Sequence, residues 1–413
     1  IRSVSTKMST GRLVINVFNE TVGRPIPNST VRISKSGQSE NIIEEFITND
    51  SGKSDTAVLD APPPEYSMEP NSPRPYDEYD ITVINPEFDS VTIQNVQILP
   101  DVIAEQNVFM KKTSDNSTAQ DFMIPPHTLY GEYPPKIAED AVKELPPSRG
   151  FVVLSDVVVP EFIVVHDGVP DDSTAPDYWI PYKDYIKNVA SCEIYATWPE
   201  EAIKANVLAI ISFTLNRVYT EWYRSRGKNF TVTSSTAYDQ KFVYQRNIFQ
   251  EISRVVDDIF ATYITKPDIK QPLFTQYCDG KNVTCPEWLS QWGSKYLAEN
   301  GTGYIDILRS YYGTEIYLDS ATQVTGVPIS FPGNALQSGS VGESVRVIQR
   351  QLNSISNNYP LINKIAVDGV FGQSTVDAVK TFQEIFGLSP SGIVDYATWY
   401  EISKVFTAVE RLT

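Results

Sequence analysis

The hydrophobic repeat of this 413-residue chain changes period along its length, and the change falls at a proline-rich stretch. From about residue 11 to 112 apolar and polar residues alternate, as in Leu13-Val-Ile-Asn-Val-Phe, Thr30-Val-Arg-Ile, Tyr79-Asp-Ile-Thr-Val, Val91-Thr-Ile and Gln106-Asn-Val-Phe-Met. Alternation puts every second side chain on one face, so these runs are expected to be half-buried strands. Gly23-Arg-Pro-Ile-Pro-Asn and Thr48-Asn-Asp-Ser-Gly-Lys lie between them and supply turn dihedrals. The expectation for residues 1–112 is a small antiparallel β-sandwich.

From Thr113 to about Gly150 the chain turns polar and then proline-rich, with Ile124-Pro-Pro, Tyr133-Pro-Pro and Leu145-Pro-Pro-Ser-Arg-Gly. Proline lacks a backbone donor and fixes φ, which favours extended chain over packed elements. Residues 113–150 are therefore expected to form an exposed connector. Exposed extended segments are also where proteases cut, and Ser148-Arg-Gly-Phe-Val-Val-Leu, ahead of the next domain, is the expected site.

Beyond the connector the period is helical. The run from Ala202 to Val218 is apolar along one whole face, and it follows Pro199 with Glu200 and Glu201 in the first turn, where the positive end of a helix favours acid. It is expected to be a buried core helix. In residues 330–413, Val345, Ile348 and Leu352 share one helical face, Val376, Val379, Phe382 and Phe386 a second, and Trp399, Ile402 and Phe406 a third. Three short helices around one core are expected there, with Ser374 and Asp395 as amino-terminal caps.

Length and composition suit about three globular domains, with 41% hydrophobic residues. Thirty-four Lys and Arg against fifty-one Asp and Glu leave a net charge of -17, which argues against nucleic acid or an anionic membrane as partner. No run of apolar residues is long enough to span a membrane, and no charged-then-apolar leader is visible. The chain opens on Ile1 and not Met, so a preceding segment is expected. Cys192, Cys278 and Cys285 are too few for a disulfide scaffold, and His127 and His166 alone supply histidine chemistry poorly. Cys278 and Cys285 are read as buried thiols in preference to a disulfide, and Cys192 as a packing residue with no histidine partner nearby. Asn-x-Ser/Thr triplets at Asn28, Asn116 and Asn282 are short enough to arise by chance.

The stretch from Ile180 to Ala205 sets one carboxylate, Glu193, among small and apolar neighbours between two helix-forming runs. A partly desolvated glutamate at a helix end suits general acid chemistry. Asp184, Glu200 and Glu201 are read as a structural carboxylate and two helix-start charges. Tyr195, Trp198, Tyr238, Tyr244, Tyr277, Trp288 and Trp292 make this region rich enough in aromatics to line a groove, although most are expected in the core.

Three resemblances follow from these motifs. The strand and turn order of the first domain resembles carboxypeptidase-regulatory-like, prealbumin-type domains, which usually carry no chemistry. In the last domain, Gly342-x-x-Val345-x-x-Ile-Gln349-x-x-Leu352, Asp368-Gly-x-Phe-Gly372-x-x-Thr375 and Val379-x-x-Phe-Gln383 resemble the three-helix peptidoglycan-binding domain. Ser391, where a second Asp-Gly usually begins, and Asp395, in place of a glycine, depart from that pattern. In residues 151–325, Ile180-Pro181, Tyr185, Val189, Glu193 and Pro199, followed by Ser290-Gln291-Trp-Gly and Ile307-Leu-Arg-Ser-Tyr-Tyr, resemble the stage II sporulation protein D family.

That resemblance implies a mixed α+β catalytic domain, a lytic transglycosylase of peptidoglycan, Glu193 as its acid and base, and no cofactor. Tyr195, Trp198, Tyr238, Gln240, Tyr277 and Gln291 are the candidate substrate-binding residues, with the tract Thr233–Gln240 placed to bond sugar hydroxyls. Some members hold zinc through Cys and His, but the Phe274–Trp288 segment has no histidine, so no metal is expected. The whole domain order resembles clostridial spore cortex-lytic enzymes. It implies an extracytoplasmic zymogen of the dormant spore, cut by a subtilisin-like germination protease near Gly150–Val153, acting on muramic-lactam-containing cortex. The alternatives are a hydrolase with two carboxylates, or a non-catalytic peptidoglycan-binding protein or amidase enhancer.

Overall fold

The computed structural model describes residues 9–20, 23–114, 118–145, 156–321, 323–324 and 331–410. The amino-terminal part holds β1 (Ser9–Asn19), β2 (Thr30–Lys35), β3 (Ile42–Ile47), β4 (Ala57–Ala61), β5 (Asp77–Asn85), β6 (Phe88–Ile98), β7 (Ile103–Met110) and β8 (Gln120–Met123). One sheet runs in the order β3-β2-β5-β6-β8, and the other contains β7-β1-β4. In the first, Ile33 lies opposite Ile81 and Ile81 opposite Ile93, while Val31, Val83 and Val91 form the adjacent row. These side chains are buried with Leu13, Ile15 and Val17 of β1, so the alternating period delivers one core between the sheets. The sheets are mixed, not purely antiparallel: β1 pairs with β7, and β6 with β8, in parallel.

The middle part holds β9 (Val158–Val159), β10 (Phe162–His166), β11 (Asp177–Pro181), α1 (Tyr182–Glu193), α2 (Glu200–Tyr219), β12 (Val232–Thr233), β13 (Ile248–Phe249), α3 (Gln250–Ile259), β14 (Thr262–Thr265), β15 (Tyr277–Cys278), β16 (Leu289–Ser290), α4 (Gln291–Glu299), α5 (Tyr304–Tyr312), β17 (Tyr317–Ser320) and β18 (Gln323–Val324). Helix α2 is the axis of this part, packed by α1, α3, α4, α5 and β14. Several of its interior polar groups are satisfied within the core: Ser212 Oγ and Thr214 Oγ1 donate to carbonyls four residues back, and Asn206 donates to Ser294 Oγ. Strand β13 joins the amino-terminal sheet beside β7, and Asn247, Arg246 and Gln97 hydrogen-bond across the same buried junction.

The last part holds α6 (Glu343–Ile355), α7 (Gln373–Ile385) and α8 (Tyr396–Glu410) around buried Trp399, Phe382, Ile348 and Leu352. Gln349 donates to Asp368 Oδ1 and the Val370 carbonyl and accepts from Gly369 N, pinning the turn after α6. Gln383 repeats the device on the next turn with Ser391 Oγ, the Ile393 carbonyl and Gly392 N. Ser391 thus does by hydroxyl what Asp368 does by carboxylate, and Gly369 and Gly392 carry the same left-handed φ of 76° and 73°. Asp395 caps α8 through Thr398 N, but Ser374 lies inside α7, whose amino-terminal cap position is Gly372 with no side-chain bond. Helix α8 docks on the middle part through an ion network, Lys183 with Asp257 and Glu401, Lys187 with Asp257, and Lys404 with Asp184. Asp184 therefore ties two domains together.

The connector departs most from its expectation. Its described residues do not hang free: β8 extends a sheet, His127 and Leu129 are buried, and residues 136–143 are strapped along the middle part. Ile137 N donates to the Ala237 carbonyl, Glu139 N donates to Gln276 Oε1, and Lys143 N donates to Gln271 Oε1. Proline enforces extended chain, and extended chain is also what a groove lined with amide side chains can pair with. The expected cut between Ser148 and Leu154 lies outside the described residues.

Candidate active site

Glu193 is the last residue of α1, which ends because Ile194 turns to extended backbone (φ -137°, ψ 155°). The side chain is 4% exposed. Its Oε1 accepts the Lys241 N–H at 2.7 Å, and its Oε2 faces Gln291 Nε2 at 3.3 Å. Gln291 also donates to the Glu193 carbonyl at 2.9 Å, so one amide grips both ends of the residue. Gln291 is set by the start of α4, where Ser290 Oγ accepts from Gly293 N. The Lys241 N–H is set by its neighbours: Asp239 Oδ1 accepts from Arg217, and Gln240 bonds Tyr185 and Thr214.

The parallel pair of β15 with β16 brings Tyr277 to the same place. Burial, with Glu193 and Tyr185 nearby, pushes the Tyr277 phenol far above its ordinary range. Its hydroxyl stands near Glu193 and Gln240 but meets no partner with hydrogen-bond geometry among the described residues. Glu193, Tyr277 and Gln291 wall a cavity of about 80 Å³, with Thr236 and Asp279 on its rim and Tyr133 and Lys136 of the strap across it.

Cys278 and Cys285 form a disulfide, Cα to Cα 5.7 Å, which corrects the thiol reading. Seven residues of separation say nothing of whether two sulfurs meet; the turn does that, because Asp279 accepts from the N–H groups of Lys281, Asn282 and Val283 and folds the loop back. Cys192 is buried, with Sγ 3.7 Å from Asn188 Oδ1, and burial pushes its thiol up. Among the described residues no group of three or more His, Cys, Asp or Glu is placed to hold a metal ion, and no helix is long and apolar enough to cross a membrane.

The other sequence candidates lie away from the cavity. Tyr195, Trp198 and Trp292 form one aromatic cluster with centroids 5.1–6.1 Å apart. It is covered by the amino-terminal part: His127 lies against Tyr195 at 4.4 Å, and Trp198 Nε1 donates to the Ser67 carbonyl at 2.9 Å. Neither ring is open to a sugar in this arrangement. Tyr238 is half-buried and offers its carbonyl to Arg217. Gln240 is fully buried and spends its amide on Tyr185, Thr214 and the Ile210 carbonyl, so it is a packing and positioning residue and not a sugar contact. Asp184, Glu200 and Glu201 pair with Lys404, Lys204 and the Tyr304 N–H, all outside the cavity. Sequence reading missed the Lys241 N–H and Lys136. A backbone donor has no residue-type signature, and a lone lysine in a proline-rich run reads as solubility.

Residues 175–263 match the family described as stage II sporulation protein, and residues 341–402 match the peptidoglycan binding domain family. A curated relative, N-acetylmuramoyl-L-alanine amidase CwlL of Bacillus licheniformis, is 24% identical over 217 residues, 52% of this chain and 56% of that one. The chain thus spans just over half of that relative. Among solved structures, the SleB N-terminal domain is 34% identical, covering 19% of this chain and 99% of that chain at a TM-score of 0.17. Klebsiella pneumoniae 5-hydroxyisourate hydrolase is 16% identical, covering 25% and 92% of the two chains at a TM-score of 0.16. The chain carries a peptidoglycan-binding domain and a stage II sporulation protein region, which place it in the context of peptidoglycan and sporulation.

Proposed function

We propose that this protein is a lytic transglycosylase of spore-cortex peptidoglycan, made as a proteolytically activated precursor, with Glu193 as its acid and base. The carrying observation is one carboxylate at a helix end, buried, held by the Lys241 N–H and Gln291 and facing a cavity, with Glu193 and Lys241 themselves inside the stage II sporulation protein match. The Glu193 carboxyl gives its proton to the oxygen joining N-acetylmuramic acid to N-acetylglucosamine, and the muramic C1–O bond breaks with oxocarbenium character. The carboxylate then takes the proton of the muramic 6-hydroxyl as O6 bonds to C1, closing a 1,6-anhydro ring. The proton returns to Glu193, and no water is consumed.

A hydrolase needs a second carboxylate to activate water. Asp279 is the acidic side chain on the cavity rim besides Glu193, and its two oxygens are committed to three backbone N–H groups. That commitment favours the single-carboxylate route. Tyr277, with a free buried hydroxyl beside Glu193, is the candidate substrate donor, and Gln291 acts on the reaction through Glu193. Tyr195 and Trp198 are proposed as sugar contacts only once the amino-terminal part has left.

The domain order resembles the clostridial spore cortex-lytic enzyme SleC, which supports storage as a zymogen and cutting by a subtilisin-like germination protease near Gly150–Val153. The 24% identity to a protein named as an amidase supports a second reading, a non-catalytic binding protein or amidase enhancer. Borohydride reduction of digested cortex separates the readings: a transglycosylase solubilises glycan without creating reducing ends, a hydrolase creates them, and an enhancer solubilises nothing alone.

A further inference from the structure

Cavities that take a ligand of drug or sugar size measure ~300–1,000 Å³. The space left beside Glu193 is about 80 Å³, and Tyr133 and Lys136 of the chain's own strap form part of its wall. Lys136 Nζ donates to the Asp239 carbonyl at 2.5 Å and lies 4.7 Å from the centre of the Tyr277 ring. Burial pulls the Lys136 ammonium below its ordinary range, and the charges of Glu193 and Asp239 oppose that pull. A basic side chain therefore stands on the cavity wall, against the face of Tyr277 and within electrostatic reach of Glu193.

Beyond Lys136 the strap pairs its backbone with the domain at every second residue. Ile137 N donates to the Ala237 carbonyl and its own carbonyl accepts from Gln276 Nε2, Glu139 N donates to Gln276 Oε1, the Ala141 carbonyl accepts from Phe274 N, and Lys143 is bonded at both N and O by Gln271. Glu139 then closes a bidentate pair with fully buried Arg217, at 2.6 and 3.0 Å. Such a ladder is how a sheet edge recognises an extended peptide.

We propose that the groove from Glu193 to Gln271 is a peptide-binding site for residues 133–143 of this same chain, which competes with glycan for the catalytic end and keeps the uncut protein inactive. The proposal rests on the reading of Glu193 as the acid. The strap lies on the amino-terminal side of residues 148–154, so a cut there leaves it bound to the groove without a peptide link. Cutting alone does not open the site; the strap has to dissociate with the β-sheet part to which it belongs.

The test uses the full chain, cut by a subtilisin-type protease and then resolved by size-exclusion chromatography into still-associated and dissociated forms. Release of glycan from cortex is expected only from the dissociated form, and Lys136→Met in the uncut chain raises its residual activity at least tenfold. A synthetic peptide of residues 130–145, added to the dissociated wild-type form, restores inhibition, which guards against a Lys136→Met chain that misfolds. Full activity from the associated cut form, or from uncut wild type, overturns the strap proposal and leaves the enzyme reading intact. If no form is active the enzyme reading fails instead. Binding of a fluorescent muramyl oligosaccharide to Glu193→Gln then decides the groove: exclusion from the uncut chain supports occupancy, and equal binding to both forms overturns it.

Discussion

Glu139→Ala tests whether the strap is held by the charge cluster at its centre. The Glu139 carboxylate bonds Arg217 twice and Lys143 Nζ at 2.9 Å, with the Arg217 side chain 0% and the Glu139 side chain 16% exposed. Truncating one partner of a buried charge pair costs ~2–5 kcal/mol, much of it from the charge left behind. Arg217 keeps Asp239 Oδ1 at 2.8 Å and the Tyr238 carbonyl, so its charge is not orphaned. The cost then falls at the low end, about 2–3 kcal/mol, which is roughly 30- to 150-fold in the docking equilibrium. Amide hydrogen exchange of the uncut chain reads this locally. The amides of Ile137, Glu139 and Lys143 lose protection by that factor while Ile81 and Val83 in the β-sheet core keep theirs. Unchanged protection of the strap amides would show that the backbone ladder, and not the Glu139–Arg217 pair, holds it; equal loss everywhere would show global destabilisation. Either result refutes the reasoning.

Gln291→Leu removes the grip on Glu193, and a hydrogen bond to a charged group is worth ~1.5–3 kcal/mol, so kcat falls roughly ten- to hundredfold in steady-state assays of the dissociated form. Acid loosens the strap: burial pushes Glu139 up, but Arg217 and Lys143 outweigh it and hold the carboxyl below its ordinary value. A depressed carboxylate stabilises docking fully above its free value of about 4.5 and loses that contribution as pH falls through the lower docked value, so the cut pair separates more readily in acid below that free value on size exclusion. Gln349→Leu leaves the Gly369 N–H and Asp368 unbonded by that amide, and about 2–3 kcal/mol of lost stability lowers the Tm of the last domain by roughly 10–20 °C in calorimetry.

Local pattern carried the parts of this fold that local physics decides. Val31, Ile33, Ile81 and Val83 alternate because a half-buried strand requires it, and the placement of Glu193 at a helix end follows from its position between two helix-forming runs. Pairings between distant segments were not legible. The parallel partnership of β1 with β7 joins strands about ninety residues apart in sequence (Ile15 opposite Gln106), and alternation alone fixes which face is buried but not which neighbour is chosen. The proline-rich segment was legible as extended chain, yet nothing in Tyr133-Pro-Pro-Lys136 announces that Gln271 and Gln276, over a hundred residues away, would take up its backbone. Gln240 carried a hydrogen-bonding side chain and an attractive position. Its burial against Tyr185 and Thr214 depends on how α1 and α2 cross, which no spacing within its own segment encodes.

The central claim is one carboxylate and an intramolecular attack by the muramic 6-hydroxyl. Mass spectrometry of fragments released from spore cortex by the cut and dissociated protein, with Glu193→Gln beside it, tests that claim most directly. The account predicts fragments ending in 1,6-anhydro-muramic acid, lighter by one water than the hydrolytic product, from wild type and none from the variant. Fragments ending in reducing muramic acid, or release that survives Glu193→Gln, contradict it.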